Sequence, residues 1–301
     1  MIVITGATGH TGRAAVDFLL GKGEKVRAIG RDLGKLQPFA ARGADIFAGN
    51  ADDSEAMTAA FQGADMVYLM IPPAMQAEDY RAYQEKVTDA YATAVRSAKV
   101  PRAVALSSLG AQHPQGTGPI VGVHNLEQKL NAIPGLNVLH LRPAGFMENF
   151  LQMIQPLRTM GTLPGPASPD VPKPMIAAKD IGAYAGTRLA ARDFSGSSVQ
   201  ELLGPRDYAM REAATILGKA IGKPGLGYMQ VPLMMLEGAL VQTGLPTKSA
   251  ALMIEMFRGE NAGLCDPQEP RSPQNTTATT LETFASEVFA PAYLGKTAGA
   301  S

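Results

Sequence analysis

The chain has one cysteine, no long apolar run and no excess of charge of either sign. Cys265 is the only cysteine among 301 residues, so no internal disulfide can form, which suits a reducing compartment. No apolar run reaches the roughly 20 residues of a membrane-spanning helix, and an apolar stretch beginning at Met1 leaves no room for a signal peptide. Since 27 basic residues balance 27 acidic ones, no net charge attracts nucleic acid or an anionic membrane. We therefore expect a soluble cytoplasmic protein without nucleic-acid or membrane partners, either a monomer or a homodimer.

The composition also argues against two kinds of active site. No group of histidines, cysteines and carboxylates has the spacing of metal ligands, so we expect no metal. A lone thiol such as Cys265 is more often a small apolar packing residue than a nucleophile. Hydrophobic residues make up 46% of the chain, which is ample for a sizeable core.

A glycine-rich stretch follows the first apolar run directly. Residues 1–4 are typical of a buried strand, Gly6, Gly9 and Gly12 come at three-residue intervals, and residues 13–20 have a helical pattern. In a strand–turn–helix unit such glycines let phosphates approach the backbone at the helix N-terminus. The spacing predicts a dinucleotide site, with a purely structural tight turn as the alternative.

The end of the second predicted strand, residues 25–29, indicates which dinucleotide is bound. A site for NAD places a carboxylate there for the ribose 2′-hydroxyl, whereas a site for NADP uses an arginine for the 2′-phosphate. Arg31 is the first charged residue after the strand, Asp32 follows it, and Lys35 is close behind. We expect NADPH, with NADH still possible and with Arg31 as a plain surface charge as the alternative.

Further strands are predicted at residues 44–48, 64–70, 102–106 and 136–141, each separated from the next by a helical pattern. This alternation predicts an α/β fold with a doubly wound parallel sheet, the Rossmann architecture. We assign residues 1–152 to a dinucleotide-binding domain, to which the chain returns around 176–203. Residues 153–175 and 204–294 form a smaller, mostly helical substrate region, and 295–301 a disordered tail. Five prolines between residues 161 and 174 predict a stiff loop without regular structure.

With these residues in hand, the chain resembles the NmrA-like branch of the atypical short-chain dehydrogenases/reductases. That branch includes NADPH-dependent quinone and triphenylmethane-dye reductases, and also regulators that bind the dinucleotide without known turnover. The resemblance rests on the segments 5–12, Gly30-Arg31, 141–151, 201–205 and 279–285, and spans nearly the whole chain.

The resemblance also implies roles for individual residues. It puts Phe146, Met147 and Asn149 in the substrate pocket, and Asn50 at the adenine, where the family often has an acidic residue. The other residues expected at the cofactor are Gly6, Thr8, Gly9, His10, Thr11 and Gly12 at the pyrophosphate, Arg31 and Lys35 at the 2′-phosphate, Ile71 and Pro72 along the cofactor, Ser107 and Ser108 at the nicotinamide ribose, and Pro143 near the ring.

The usual short-chain dehydrogenase triad of serine, tyrosine and lysine is missing from the expected positions. The corresponding helix carries His124 and Gln128, Lys129 is one place out of step, and Leu109 takes the serine position. Hydride transfer to an already electrophilic acceptor needs mainly proximity and orientation. We therefore expect hydride transfer from NADPH to a small conjugated acceptor, such as a quinone, a dye or a C=N or C=C compound. The alternative is a non-catalytic sensor that binds NADP(H).

Histidine changes charge near neutral pH, so His124 is the best candidate for a catalytic acid. Its alternative role is a hydrogen bond to the cofactor or packing of its own helix.

Overall fold

A parallel sheet of seven strands forms the centre of the protein, in a computed structural model that describes residues 1–295. Its strand order is β10-β6-β5-β4-β1-β2-β3, and every neighbouring pair is parallel. The strands are β1 (Ile2–Ile4), β2 (Val26–Gly30), β3 (Asp45–Ala48), β4 (Met66–Leu69), β5 (Arg102–Leu106), β6 (Asn137–Pro143), β7 (Gly145–Phe146), β8 (Leu163–Gly165), β9 (Lys173–Ile176), β10 (Ser197–Leu202), β11 (Asp207–Tyr208) and β12 (Tyr228–Gln230). The chain reverses direction across the sheet between β1 and β4, which confirms the doubly wound Rossmann architecture.

Helices connect the strands and cover both faces of the sheet. They are α1 (His10–Gly21), α2 (Leu33–Ala40), α3 (Ser54–Phe61), α4 (Tyr80–Ser97), α5 (Ile120–Asn131), α6 (Ile154–Met160), α7 (Ala178–Ala191), α8 (Met210–Ala220), α9 (Leu233–Gln242), α10 (Thr247–Asn261), α11 (Leu281–Phe284) and α12 (Ala290–Tyr293). Aspartates begin three of them: Asp32, Asp53 and Asp79 accept backbone N–H bonds at the first turns of α2, α3 and α4. Such caps satisfy donors that the helix itself leaves unpaired.

The sheet separates two apolar cores because successive side chains of a strand point to opposite faces. Ile2 and Ile4 pack with α1, α2 and α7 on one face, whereas Val3 packs with α3, α4 and α5 on the other. Both cores are closed to solvent, so the strands are apolar on both sides, as expected for a parallel sheet.

Helix α7 packs unusually close to α1. A Cβ atom on Gly182 would lie 2.3 Å from the carbonyl oxygen of Thr11, and one on Gly186 would lie 2.7 Å from the ring of Phe18. The two glycines therefore let the backbones of the two helices meet. Through this contact α7 supports the first turn of α1, and the chain then enters β10 at the sheet edge beside β6.

The C-terminal half is mostly helical and has a core of its own. Met147, Phe150, Tyr208, Leu217 and Phe284 are buried members of this third cluster. Two small sheets, of order β11-β9-β7 and β12-β8, lie beside it. The domain boundaries given above stay a prediction.

The predicted loop over residues 161–174 is wrong, because β8 and the start of β9 lie inside it. Proline lacks an N–H group and is tolerated where a strand has a neighbour on one side only. Among the strands of residues 1–295, β8, which contains Pro164, pairs only with β12. Pro174 of β9 pairs with Asp207 of β11. The other neighbour, β7, pairs with β9 from Met175 onward, so Pro174 has a strand neighbour on one side.

Several helix boundaries also differ from the sequence pattern. Helix α1 begins at His10, inside the glycine motif, and α2 is a helix that the pattern does not predict. Asp180 lies in the first turn of α7 and accepts hydrogen bonds from the backbone N–H and hydroxyl of Thr279. The tail expected to be disordered, 295–301, lies outside the described residues except for Gly295. No helix within residues 1–295 is long and apolar enough to cross a membrane.

Buried His140 on β6 gives a pH-dependent test of this fold. Its Nε2 donates to Asn131 over 2.8 Å, and burial lowers its pKa from 6.5 to about 4. Between these values the unfolded chain binds a proton that the folded protein does not, so stability falls on acidification. We expect His140→Gln to reduce this dependence of the free energy of unfolding on pH. For His140 the dependence amounts to about 3 kcal/mol between pH 6.5 and about pH 4. Urea unfolding at several pH values measures it, and His113→Gln, at a half-exposed position, serves as the control. An unchanged slope in the His140 variant would contradict the assignment.

Candidate functional site

The glycine-rich turn after β1 is shaped by contacts that a side chain would obstruct. Gly6 has φ of +60°, and a Cβ atom on it would lie 2.4 Å from the sulfur of Met70. A Cβ atom on Gly12 would lie 2.3 Å from the carbonyl oxygen of Gly6. The first turn of α1 thus rests directly on the backbone of the turn.

This arrangement leaves the N-terminus of α1 open. Gly9 occupies the cap position without a side-chain hydrogen bond, and no acidic residue lies in the first turn. The N–H groups of a first helical turn have no partner within the helix and favour anions. Of the side chains here, Thr8 is half-buried, His10 is exposed and Thr11 is buried.

The carboxyl ends of β1 and β4 are tied together beside this turn. The hydroxyl of Thr5 donates to the carbonyl of Tyr68 over 2.9 Å and accepts from the N–H of Met70 over 3.1 Å. Tyr91 on α4 donates to the carbonyl of Met70 over 2.8 Å, and burial raises the pKa of Tyr91, so it remains a neutral donor. The chain therefore leaves β4 toward half-buried Ile71 and Pro72 in a fixed position, at the point where a doubly wound sheet forms its ligand crevice.

Two positively charged side chains, Arg31 and Lys35, follow the end of β2. Arg31 and Lys35 are exposed, and within residues 1–295 neither forms a salt bridge. Asp32, between them in sequence, caps α2 by accepting from the N–H groups of Gly34 and Lys35. The carboxylate of Asp32, the residue type that an NAD site uses at this place, therefore has a structural role. Asn50, at the end of β3, is exposed.

A buried charge network missed by the sequence reasoning lies at the ends of β5 and β6. Glu127 of α5 accepts from the Ser107 hydroxyl at 2.5 Å, and from Arg142 at 2.9 Å through Nε and 2.6 Å through a terminal nitrogen. All three residues are buried. The place of Ser107 beside the nicotinamide ribose stays a prediction; its hydroxyl donates to Glu127. The sequence feature that could have indicated this network is a glutamate next to the apolar face of α5.

His124 lies on α5, one turn before Glu127. Its Nδ1 is 2.8 Å from the carbonyl oxygen of Ala111, so Nδ1–H is the donor and Nε2 is left for another partner. Ser108 is half-buried and donates to the carbonyl of Leu109, which is itself a core residue. The N–H of Leu109 donates to the carbonyl of Pro143 over 3.1 Å. Ser108, His124 and Pro143 are therefore held by neighbouring elements.

Lys129 and Gln128 do not replace the missing lysine. Lys129 forms ion pairs with Glu85 and Asp89 of α4, the latter at 2.6 Å, and Gln128 is exposed. Of the other histidines, His113 is half-exposed and His140 is buried in the sheet.

The predicted substrate-pocket residues are not equivalent in the structure. Met147 is fully buried in the C-terminal core, so its assignment to the pocket is wrong: it packs against protein. Phe146 is half-buried and Asn149 is exposed, which leaves both able to contact a ligand. Between them in sequence, Glu148 accepts from the N–H of Ala178 through both carboxylate oxygens and so begins α7.

Neither thiol nor metal chemistry is indicated in the described residues. Burial, aided by Glu260 and Asp266, raises the pKa of the Cys265 thiol to about 12, which keeps it protonated and unreactive. No group of three His, Cys, Asp or Glu side chains within residues 1–295 is placed to hold a metal ion.

The chain is similar in sequence to known reductases and similar in fold to solved structures of reductases. An NAD(P)H azoreductase of Xenophilus azovorans is 27% identical over 259 residues, 85% of this chain and 86% of its own. Quinone oxidoreductase 2 of Escherichia coli is 26% identical over 265 residues, 87% and 89% of the two chains. The NADPH complex of an Escherichia coli NADPH-dependent quinone oxidoreductase superposes with a TM-score of 0.81 at 25% identity, covering 96% of this chain and all of the other. Triphenylmethane reductase of Citrobacter sp., with NADP(H), has a TM-score of 0.77 at 20% identity, covering 95% and 99%.

The sheet order, the glycine turn and the open helix N-terminus define a Rossmann-type protein. Within that class the model of the NmrA-like family matches residues 1–285. The chain belongs to the NmrA-like family, and the resemblance inferred from its motifs is confirmed.

The contact between Gly12 and Gly6 can be tested by adding one methyl group. Gly12→Ala forces the first turn of α1 away from the turn after β1, and we expect it to destabilise the protein by about 1–3 kcal/mol. Gly21→Ala is the matched control, because no atom of the described residues lies within 4 Å of a Cβ at the other end of α1. Urea unfolding compares the two variants, and equal stabilities would show that the close contact is unimportant.

Proposed function

We propose that this protein is an NADPH-dependent oxidoreductase that transfers hydride to a small conjugated acceptor such as a quinone or an azo or triphenylmethane dye. The observation that carries the proposal is the arrangement at the carboxyl ends of β1, β2 and β4. There the glycine turn, the uncapped N-terminus of α1 and Arg31, which forms no salt bridge within residues 1–295, lie at one edge of the sheet. The names of the relatives, NAD(P)H azoreductase and quinone oxidoreductase, support the same class of reaction.

The glycine turn, the N-terminus of α1 and the end of β2 would bind the phosphates of the cofactor. The pyrophosphate would lie on the first turn of α1, where the backbone N–H groups point toward an anion. A 2′-phosphate at the end of β2 would meet Arg31 and Lys35, since Asp32 is turned to its own helix. Arginine suits this role because its planar guanidinium binds phosphate through two parallel hydrogen bonds. Asn50, Ile71 and Pro72 would line the adenine and ribose portions.

The nicotinamide would lie at the ends of β5 and β6, near Ser108, His124 and Pro143. When bound, NADPH supplies the hydride, and the protein holds the acceptor against it. His124 presents Nε2 while Nδ1–H is held by Ala111. In the imidazolium form Nε2–H can give a proton to the reduced acceptor, and in the neutral form Nε2 can accept a hydrogen bond. Phe146 and Asn149 would contact the acceptor.

The reaction proposed here suits a site without the tyrosine and lysine of ordinary ketone reduction. Reduction of a simple ketone produces a localised alkoxide, which needs a strong proton donor. A quinone spreads the added negative charge over its conjugated system, so a histidine or water suffices as the proton donor. A dye cation becomes neutral when it accepts the hydride and needs no proton. The position of Lys129, paired with two acids on α4, agrees with such chemistry.

Cofactor choice tests the role of Arg31. We expect Arg31→Glu to weaken NADPH binding roughly 10- to 100-fold and NADH binding much less, because only NADPH carries the 2′-phosphate. Lys219→Glu makes the same charge change at an exposed position on α8 and should alter neither affinity. Titrations of both cofactors give the dissociation constants. An equal loss for NADPH and NADH would rule out recognition of the 2′-phosphate by Arg31.

An acceptor screen tests the reaction itself. Purified protein should oxidise NADPH faster than the blank with at least one quinone, azo dye, triphenylmethane dye or enone. If NADPH binds but none of them is reduced, the proposal fails. The alternative of a non-catalytic NADP(H) sensor would then predict a protein partner captured in only one oxidation state of the cofactor.

A further inference from the structure

The Ser107–Glu127–Arg142 network joins three elements through one buried carboxylate. Ser107 follows β5, Glu127 lies on α5 and Arg142 lies near the end of β6. Glu127 is 2% exposed and accepts three hydrogen bonds, one from Ser107 and two from Arg142. Its charge is balanced by the guanidinium of Arg142.

The same three elements carry the residues placed at the nicotinamide end of the site. Ser107 precedes Ser108, Arg142 precedes Pro143, and Glu127 follows His124 by one turn of α5. The backbone strengthens these ties: the N–H of Ser107 donates to the carbonyl of Leu141 over 2.7 Å. A shift of Glu127 would therefore move α5, and His124 with it, relative to the ends of both strands.

Stability alone is a poor explanation for this network. A buried ion pair often contributes no more than well-packed apolar side chains would, because both charges must be removed from water. What it does supply is a defined geometry, since the planar guanidinium and the carboxylate fit in one orientation. Hydride transfer depends on such geometry, because small displacements of the reacting groups lower the rate steeply.

We propose that Glu127, held by Ser107 and Arg142, is a positioning residue that sets His124 and the nicotinamide end of the crevice for hydride transfer. This inference rests on the proposed function. It assigns no contact with substrate or cofactor to Glu127, which acts through the elements that it joins.

The mildest test removes one hydroxyl and keeps the ion pair. Ser107→Ala leaves Glu127 and Arg142 paired and should fold. Its control is Thr88→Ala on α4, which also deletes a fully buried hydroxyl, one without a hydrogen-bond partner in the described part of the chain. Glu127→Gln is the stronger variant, because it removes the charge while nearly keeping the shape of the side chain.

Each variant is measured in four ways: urea unfolding, affinity for NADPH, the single-turnover rate of hydride transfer, and the fluorescence of bound NADPH. That emission reports on the nicotinamide, and the chain contains no tryptophan to disturb it. We expect Ser107→Ala to slow hydride transfer about 10-fold and Glu127→Gln about 100-fold. Affinity for NADPH should stay within about twofold, because the phosphates bind at the other end of the crevice. The fluorescence of bound NADPH should change in both variants and not in Thr88→Ala.

The inference is overturned if Ser107→Ala and Thr88→Ala have the same rate of hydride transfer and the same nicotinamide fluorescence. It is also overturned if the loss of rate in each variant is fully explained by its loss of folded protein in urea unfolding. Failure of the proposed function has a different signature. In that case the wild-type protein binds NADPH and reduces no acceptor, while the fluorescence of the variants still reports whether the network positions the nicotinamide.

Discussion

The close approach of backbone to backbone around the first helix is the constraint on which the rest of the molecule depends. Gly12 brings α1 onto the carbonyl of Gly6, and Gly182 brings α7 onto the carbonyl of Thr11. A methyl group at either glycine would occupy space that the neighbouring carbonyl needs. Since α1 is held from both sides, its uncapped N-terminus has a fixed direction at the reversal point of the sheet. The helices can approach this closely because no side chain lies between them at these two glycines.

Three carboxylates form hydrogen bonds or ion pairs within the protein, which decides which charged groups remain free to bind ligands. Asp32 caps α2, Glu148 begins α7 and Glu127 neutralises Arg142. Each of these three acids thus has a backbone N–H or a guanidinium as its partner. The charged groups left over at the end of β2 are cations, and a phosphate-bearing cofactor is the ligand that such a surface favours. The electrostatics of the site follow from how the acids are used in folding.

Much of the architecture was predictable because it depends on local patterns. Apolar runs separated by helical patterns indicate a parallel sheet, and glycines at 6, 9 and 12 mark the first turn. The wrong predictions for residues 161–174 and for Met147 share one cause: they depend on distant partners. Pro164 lies in a strand because β12 supplies a neighbour on one side, and Met147 is buried by helices of the C-terminal half. The hydrogen bond from Ser107 to Glu127 was missed for the same reason, because the two residues are 20 positions apart.

The sequence by itself determined the fold class, the family and the position of the dinucleotide turn, since strand alternation and glycine spacing are properties of neighbouring residues. Only the tertiary structure decided which polar groups are free. It assigned Asp32 to a helix cap, Ser107 and Arg142 to Glu127, and the Nδ1 of His124 to Ala111. Whether a side chain can meet a ligand depends on whether the folded chain already satisfies its hydrogen bonds. That depends on residues brought together from distant parts of the chain, which local sequence patterns do not contain.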